Sequence, residues 1–151
     1  MIANKSPLKL QRFVLFELGY AFSVPIDQEE EELNWFDIID SYPIDIDFDH
    51  FENKDERVEV RIKITVNAKK EFSGFTLSGQ GVGVFSMETE DDIEESLANN
   101  LRIFSSLNIC INSLRNEFAS CTSQSPIGGY YLPAIDIASL IDEKKKEVSK
   151  A

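Results

Sequence analysis

The sequence has little of the chemistry that metal sites and disulfides require. It contains one histidine and two cysteines, Cys110 and Cys121, in 151 residues. These residues cannot supply the four Cys and His ligands of a usual zinc site, and the cysteines do not form a CxxC pair. Few cysteines are typical of a reducing compartment, so the sequence predicts a cytoplasmic protein with free thiols, no metal and no cofactor.

Positive charge and long apolar runs are also scarce. Fifteen Lys and Arg stand against 27 Asp and Glu, a formal net charge of −12. Such a field repels phosphate backbones and anionic membranes and attracts basic partners, which argues against nucleic acid as a ligand. The most apolar stretch, residues 13–24, is interrupted by Glu17 and is too short to span a bilayer. The first residues have no apolar leader region, so no membrane insertion is expected.

Glycine and proline are few as well, seven and five respectively. These counts exclude collagen-like and low-complexity chains, and 42% apolar with 28% charged residues is ordinary globular composition. A chain of this length buries enough surface for a substantial core. With no internal repeat visible, residues 1–151 are predicted to form one domain.

Four segments have the hydrophobic patterns of strands. Residues 8–24 are apolar on both alternating faces, which indicates either a central strand or a strand covered on its second side by another chain. Residues 43–49 and 58–67 alternate cleanly, as half-solvated strands do. Residues 72–87 form a fourth strand, in which a bulge or a close backbone contact is expected at its glycines, Gly79, Gly81 and Gly83.

Helical periodicity begins after the fourth strand. Apolar residues recur in steps of three and four over residues 93–118 and predict one long helix, with a break near Ser105 or Asn108. Thr89 with Asp92 resembles a capping box at its start.

A short C-terminal helix is predicted over residues 138–150. Strands that precede helices in this order indicate an α+β fold: a four-stranded antiparallel sheet followed by a long helix and a short C-terminal helix, with helices on one face.

One carboxylate motif has the spacing of a calcium site. Asp45, Asp47 and Asp49, with Glu56 at the twelfth position, match the ligand spacing of an EF-hand loop. The sixth position must be glycine for the sharp turn, and here it is His50. The aspartates are therefore interpreted as the solvated face of a strand.

No pattern of a catalytic site is specific enough to predict an enzyme. The three glycines of the fourth strand do not have the GxGxxG spacing, and no P-loop lysine follows them. His50 suits a general base by its usual pKa, but no oriented partner is evident, and a GxSxG elbow is absent.

Aromatic residues are the feature left unexplained. Eleven Phe, four Tyr and one Trp occur, several of them on the second face of the first strand and in residues 33–42, interpreted as a mobile connection. They either complete the core or line an apolar patch that binds a ligand. Three classes stay open: a protein that holds unfolded polypeptides, a small-ligand-binding protein, and an oligomeric adaptor.

The order of several short strings resembles the SecB export-chaperone family across residues 10–141. No single string is diagnostic, and the evidence is their succession. The strings are Leu10-Gln11-Arg12-Phe13, Phe22-Ser23-Val24-Pro25, Trp35, residues 43–48, residues 58–66, Gly83-Val84-Phe85-Ser86-Met87, Leu114-Arg115-Asn116-Glu117 and Leu132-Pro133-Ala134-Ile135-Asp136-Ile137.

This resemblance implies an ATP-independent holdase that binds unfolded or partly folded polypeptides. It also implies a homo-oligomer, a dimer or a tetramer built as a dimer of dimers, with extended client grooves. The client-binding residues would be Trp35, Phe36, Tyr42 and Phe104. Glu17 would lie on an acidic sheet face that binds the basic tail of the SecA motor.

The sequence departs from the family at this acidic face and in the long helix. Ser78 and Ala21 stand where the family has further acids, and Asn112-Ser113-Leu114 replaces a string with proline and an aromatic residue. The resemblance therefore leaves two client settings open, protein export and a toxin–antitoxin system.

Overall fold

The secondary structure of the chain is an antiparallel sheet followed by helices. The computed structural model describes residues 1–24, 33–88 and 93–151, so Pro25 and the capping box predicted at Thr89 and Asp92 lie outside the described residues. The elements are β1 (Leu8–Ser23), α1 (Trp35–Asp40), β2 (Ile44–Glu52), β3 (Arg57–Val66), β4 (Gly74–Met87), α2 (Glu95–Asn100), a π-helical turn (Leu101–Ser105), α3 (Ser106–Cys121) and α4 (Ile137–Lys150). The predicted α+β fold is confirmed.

The sheet has the strand order β1-β4-β3-β2, and every neighbouring pair is antiparallel. Alternate residues of β3 are buried, as the pattern predicts, because α3 covers one face of the sheet. The opposite face, called here the outer face, carries Asp45, Asp47 and Asp49 of β2, which pair across the strands with Thr65, Lys63 and Arg61. These aspartates thus belong to a regular strand and not to a calcium loop.

Strand β1 lies at an edge of the sheet. Of the two alternatives for its doubly apolar pattern, a central strand does not fit this position, and coverage by another chain stays a prediction. The alternation of the β1 side chains between the two faces of the sheet is also broken, because the β1–β4 register shifts between Leu10 and Arg12 and again between Leu15 and Glu17. Leu10 therefore shares the helix-covered face with Phe85, whereas Arg12 lies on the outer face. Such bulges bend and twist an edge strand.

The glycines of β4 allow the long helix to approach the sheet closely. A Cβ atom at Gly79 would lie 2.9 Å from Cε1 of Phe118, and one at Gly83 would clash with Sγ of Cys110. The close backbone contact predicted here is confirmed, while the bulges fall on β1 instead.

The long helix continues from α2 to α3 through the π-helical turn, near the predicted break. At this turn the hydroxyl of Ser106 donates to the carbonyl of Arg102, and Nε2 of His50 lies 3.2 Å from the carbonyl oxygen of Ile103. A π turn leaves some backbone carbonyls without their usual helical hydrogen-bond partner, and side chains take that place here. The last helix, α4, lies beside β2, where Nζ of Lys144 is 2.7 Å from Oδ1 of Asp47.

Residues 33–42, interpreted as a mobile connection, contain a helix. Asn34 caps α1 by accepting a hydrogen bond from the Asp37 backbone N–H at 3.4 Å, and the hydroxyl of Ser41 donates to the Asp37 carbonyl at the other end. The connection is thus a short capped helix.

Candidate functional site

An aromatic hollow of about 200 Å³ opens between α1 and the segment 130–133 that precedes α4. Apolar and aromatic side chains from both walls form most of its surface, and Asp40 supplies its single charged group. We call this feature the aromatic hollow; its lining is Phe36, Ile39, Asp40, Tyr42, Ile44, Tyr130, Tyr131 and Pro133.

Tyr42 forms a fixed floor for this hollow. The side chain is buried, its hydroxyl donates to the Ser73 carbonyl at 2.7 Å, and it accepts from the Phe75 backbone N–H at 2.8 Å. Burial raises the pKa of Tyr42, opposed by the hydrogen bond from Phe75. The phenol therefore ties α1 to the start of β4 and stays neutral near pH 7.

Tyr130 completes the floor from the opposite wall. Its backbone N–H donates to Oγ1 of Thr122 at 2.7 Å, and its ring centroid lies 6.3 Å from that of Tyr42 and 5.7 Å from that of Phe75. Burial, followed by the nearby Tyr42, raises the pKa of Tyr130. The three rings form a contiguous packed cluster, at separations typical of favourable aromatic contacts.

The rim of the hollow is aromatic and open to solvent. Phe36 of α1 is 79% exposed and Tyr131 of the opposite wall is 74% exposed. Large exposed aromatics next to an apolar floor gain free energy when a ligand removes them from water. The hollow can therefore bind an apolar side chain between two aromatic walls.

Arg115 of α3 positions the wall that carries Tyr131. Its Nε donates to the Leu132 carbonyl at 2.8 Å, and one of its terminal nitrogens donates to the Pro133 carbonyl at 2.9 Å. The other terminal nitrogen donates to Oδ1 of Asn112. Two carbonyls held by one planar guanidinium restrict the segment 130–133 to one arrangement against α3.

The structure brings together two of the four predicted client-binding residues, Phe36 and Tyr42. Trp35 lies beside the hollow, where its ring centroid is 5.3 Å from that of Phe22 and its ring lies close over Gly74. Phe104 lines a different hollow, of about 360 Å³, between the long helix and α4.

Sequence reasoning missed Tyr130 and Tyr131. They lie directly after Gly128-Gly129 and before Leu132-Pro133, between the two predicted helices. Two adjacent aromatics between glycine and proline are the signal that would have identified a rigid, aromatic connection.

Glu17 lies apart from the aromatic hollow, on the outer face of the sheet. It pairs across the strands with Gln80, and its Oε1 accepts a hydrogen bond from Oγ of Ser78 at 2.8 Å. Ser78, one of the two positions where the sequence departs from the acidic pattern of the SecB family, is thus a direct hydrogen-bond partner of Glu17.

The described residues contain no constellation of a nucleophilic enzyme. Nε2 of His50 lies 3.3 Å from Oγ of Ser106, but Ser106 is fully buried and its hydroxyl donates to a helix carbonyl. Burial lowers the pKa of His50, and burial raises the pKa of the Cys110 thiol to about 12. Neither group presents a reactive atom to a substrate.

The described part of the chain has neither a cluster of metal ligands nor a helix suited to span a membrane. Within residues 1–24, 33–88 and 93–151, no group of three or more His, Cys, Asp or Glu side chains is arranged to hold a metal ion. None of the helices in these ranges combines the length and the apolar character needed to cross a membrane.

Comparisons with known proteins show the fold and leave the family open. No protein-family model matches the chain, and no curated protein matches its sequence. Among solved structures, it is similar to the SecB-like chaperone Rv1957 of Mycobacterium tuberculosis, solved in complex with a ChAD peptide from the Rv1956 HigA1 antitoxin. The TM-score is 0.53 at 9% identity, over 85% of this chain and 88% of that chain.

A second solved structure, a Streptococcus agalactiae protein of unknown function, has a TM-score of 0.44 at 9% identity, over 84% of this chain and 97% of that chain. The SecB-like fold expected from the sequence is therefore supported by the first of the two.

Proposed function

We propose that this protein is an ATP-independent holdase that binds apolar segments of unfolded polypeptides at the aromatic hollow. The observation that carries this proposal is the pairing of two exposed aromatics, Phe36 and Tyr131, above a floor of buried tyrosines. An unfolded chain offers apolar side chains in many sequences, and an aromatic slot accepts them with little regard for sequence. The protein holds its client without catalysis.

The size of the hollow favours a polypeptide over a small molecule. At about 200 Å³ it is smaller than the roughly 300–1,000 Å³ of a pocket that encloses a small-molecule ligand. A side chain of an extended peptide fits such a slot while the rest of the peptide continues along the surface. Affinity for a client then comes from several slots on one or more subunits.

Oligomerisation through β1 is part of the proposal. Leu10, Leu15 and Tyr20 face the helix layer, opposite Phe85, Gly81 and Leu77, yet they remain 41%, 37% and 38% exposed. An edge strand with such side chains is a template for pairing with another chain. A second copy that adds its β1 here would cover these residues and make a homo-oligomer.

The client and the docking partner are proposed from the similarity to the solved SecB-like chaperone and from the resemblance to the SecB family. The Mycobacterium tuberculosis chaperone is bound to an antitoxin peptide, so an antitoxin is one client class, and a preprotein for export is the other. For a SecA-like motor, Glu17 is the proposed contact.

The test uses the purified full-length protein and a chemically unfolded, slow-folding client diluted into buffer without ATP. Light scattering gives the mass of the protein alone and mixed with the client, and turbidity follows client aggregation. We expect an oligomer that forms a stable complex and suppresses aggregation. A monomer beside which the client precipitates at its usual rate contradicts the proposal.

Three variants locate the binding site. Phe36→Ala and Tyr131→Ala should each weaken client binding by at least about tenfold, because truncating a central aromatic anchor costs about 2 kcal/mol or more. Phe51→Ala removes an exposed aromatic of β2 outside the hollow and should leave binding unchanged. Equal losses in all three would place binding elsewhere.

A further inference from the structure

A second, larger hollow lies on the outer face of the sheet, away from the helices and from the aromatic hollow. It measures about 520 Å³. We call it the outer hollow; its lining is Arg12, Val14, Phe16, Glu59, Arg61, Gln80, Gly81, Val82 and Val84.

The outer hollow combines an apolar surface with two guanidinium groups. Val14, Val82 and Val84 lie on the outer face of β1 and β4, where Val14 and Val82 are half-buried and Val84 is buried, and Arg12 and Arg61 flank them on β1 and β3. Valines with flanking cations suit a ligand that has both apolar and anionic groups.

Both guanidinium groups can bind an anion, although Asp49 of β2 stands opposite Arg61 in the β2–β3 register. In the part of the chain that the structure describes, the ion pairs join Lys9 to Glu88 and Lys144 to two aspartates of β2, and neither arginine takes part. The guanidinium carbon of Arg61 lies 4.7 Å from the centroid of the Phe51 ring, which supports the side chain without neutralising it. Glu59 is the single carboxylate in the lining.

The local charge is opposite to that of the whole protein. The lining carries two cations and one anion, whereas the full chain has a net charge of −12. A long polyanion such as nucleic acid would be repelled by this overall field, whereas a short segment with one or two carboxylates is repelled far less. Arginine side chains bind carboxylates through paired hydrogen bonds.

The position of the hollow decides how a ligand is recognised. Strands β4 and β3 are interior strands with hydrogen-bonded neighbours on both sides, so no peptide can be added to them as a further strand. At these two strands the recognition surface is formed by side chains of the sheet face and not by backbone pairing.

We propose that the outer hollow binds a protein segment in which Asp or Glu residues lie beside apolar ones. The carboxylates pair with Arg12 and Arg61, and the apolar side chains pack on Val14, Val82 and the exposed Phe16. Such a partner differs in charge from the basic motor tail that the family resemblance implies for this face, and it is bound independently of the polypeptide held at the aromatic hollow.

The test measures binding of two short fluorescent peptides that share their apolar residues and differ only in carrying glutamate or lysine. Fluorescence anisotropy is recorded with the full-length protein at low and at high salt. We expect the glutamate peptide to bind more tightly than the lysine peptide, and its binding to weaken with salt because the contacts are charged.

The variants assign this binding to the outer hollow. The double variant Arg12→Gln and Arg61→Gln should bind the glutamate peptide with an affinity lower by about tenfold or more, because charge-assisted hydrogen bonds are lost. Arg102→Gln makes the same change on the helix layer and should have no effect. The double variant should still suppress client aggregation, which separates this proposal from the holdase.

Several outcomes would overturn the assignment. The lysine peptide could bind as well as the glutamate peptide, or the double variant could bind the glutamate peptide with unchanged affinity. A loss of binding in Phe36→Ala would place the acidic peptide in the aromatic hollow. A change in the mass of the double variant by light scattering, with no peptide binding to the unaltered protein, would show that a second copy covers this face.

Discussion

Tyr42 shows at the residue scale how the core and the aromatic hollow depend on one another. Its ring forms part of the floor, and its hydroxyl holds the Ser73 carbonyl and the Phe75 N–H. The same phenol lies against Gly74, whose φ of +95° is a conformation that other residues adopt only with strain. The side chain of Tyr42 thus fixes both the floor of the aromatic hollow and the turn at Gly74.

Removing this hydroxyl should destabilise the fold. Tyr42→Phe leaves the buried Phe75 N–H without a partner, which costs about 1–3 kcal/mol of unfolding free energy. Urea denaturation followed by fluorescence measures the loss. Tyr131→Phe, at an exposed site, is the matched control and should change stability little. Equal stability of the two variants would show that water replaces the lost partner.

The long helix and β4 illustrate the element scale. Glycines at alternate positions of β4 leave room for Cys110 and Phe118 of α3 to approach the backbone of the sheet. Dense packing of this kind tolerates added volume poorly. The distance between α3 and the sheet is therefore set by the glycines of β4, which have no side chain.

Adding a methyl group at this contact tests it. Gly83→Ala should lower the unfolding free energy by about 1–3 kcal/mol, because the new Cβ clashes with Sγ of Cys110. Thermal unfolding measures the change. Gly19→Ala introduces the same group on β1 with nothing within 4 Å and should be nearly neutral. Partial rescue of Gly83→Ala by Cys110→Ala would confirm the clash, and its failure would assign the loss to the Phe85 ring, whose Cε2 would lie 2.8 Å from the new Cβ.

The attachment of α4 to β2 should depend on pH. Lys144 lowers the pKa of Asp47, and the carboxylate raises the pKa of Lys144. The stabilisation is therefore complete between the two ordinary values, 3.8 and 10.5, and is lost as pH falls through the lowered Asp47 value or rises through the raised Lys144 value. For an exposed pair the effect is about 0.2–1 kcal/mol, since solvent screens it.

Hydrogen exchange of α4 amides measures this attachment. Protection should decrease towards low pH and high salt after correction for intrinsic exchange, and Lys144→Met should show the lower protection at neutral pH as well. Lys150→Met, at the end of the same helix, is the control. An unchanged profile in Lys144→Met would show that apolar packing alone holds α4.

At the scale of the whole molecule, the exposed edge of β1 predicts association. Three apolar side chains on its helix-facing side are more than a third exposed although their β4 partners are buried. The opposite edge strand, β2, is flanked by α4, so the two edges of the sheet are not equivalent. Association at one edge alone closes a symmetric dimer.

A charged residue on this edge should prevent association. Leu15→Lys places a cation where a second copy would have to bury it, which is unfavourable without a partner. We expect a lower mass by light scattering and an unchanged circular dichroism spectrum. Lys9→Leu removes a charge from an exposed site of the same strand and should have the same mass as the unaltered protein. An unaltered mass in Leu15→Lys would exclude this edge as the interface.

Strands with one buried face were predictable because alternation has a strict period of two. The pattern of β3 and the periodicity of α3 identify the sheet, the long helix and the side on which they meet. The position of β1 was not predictable, since a strand that is apolar on both faces fits either the centre or an exposed edge. The bulges of β1 also escaped, because no local sequence signal marks them.

Of the candidate site, the sequence by itself indicated the aromatic residues of α1, through the large aromatic side chains concentrated in residues 33–42. The other wall, with Tyr130 and Tyr131, was decided only by the tertiary structure. Arg115 lies 15 or more positions before it in the chain and holds it through backbone carbonyls, which every residue type possesses. Local pattern therefore determines the elements, whereas long-range hydrogen bonds and packing decide which side chains share a surface.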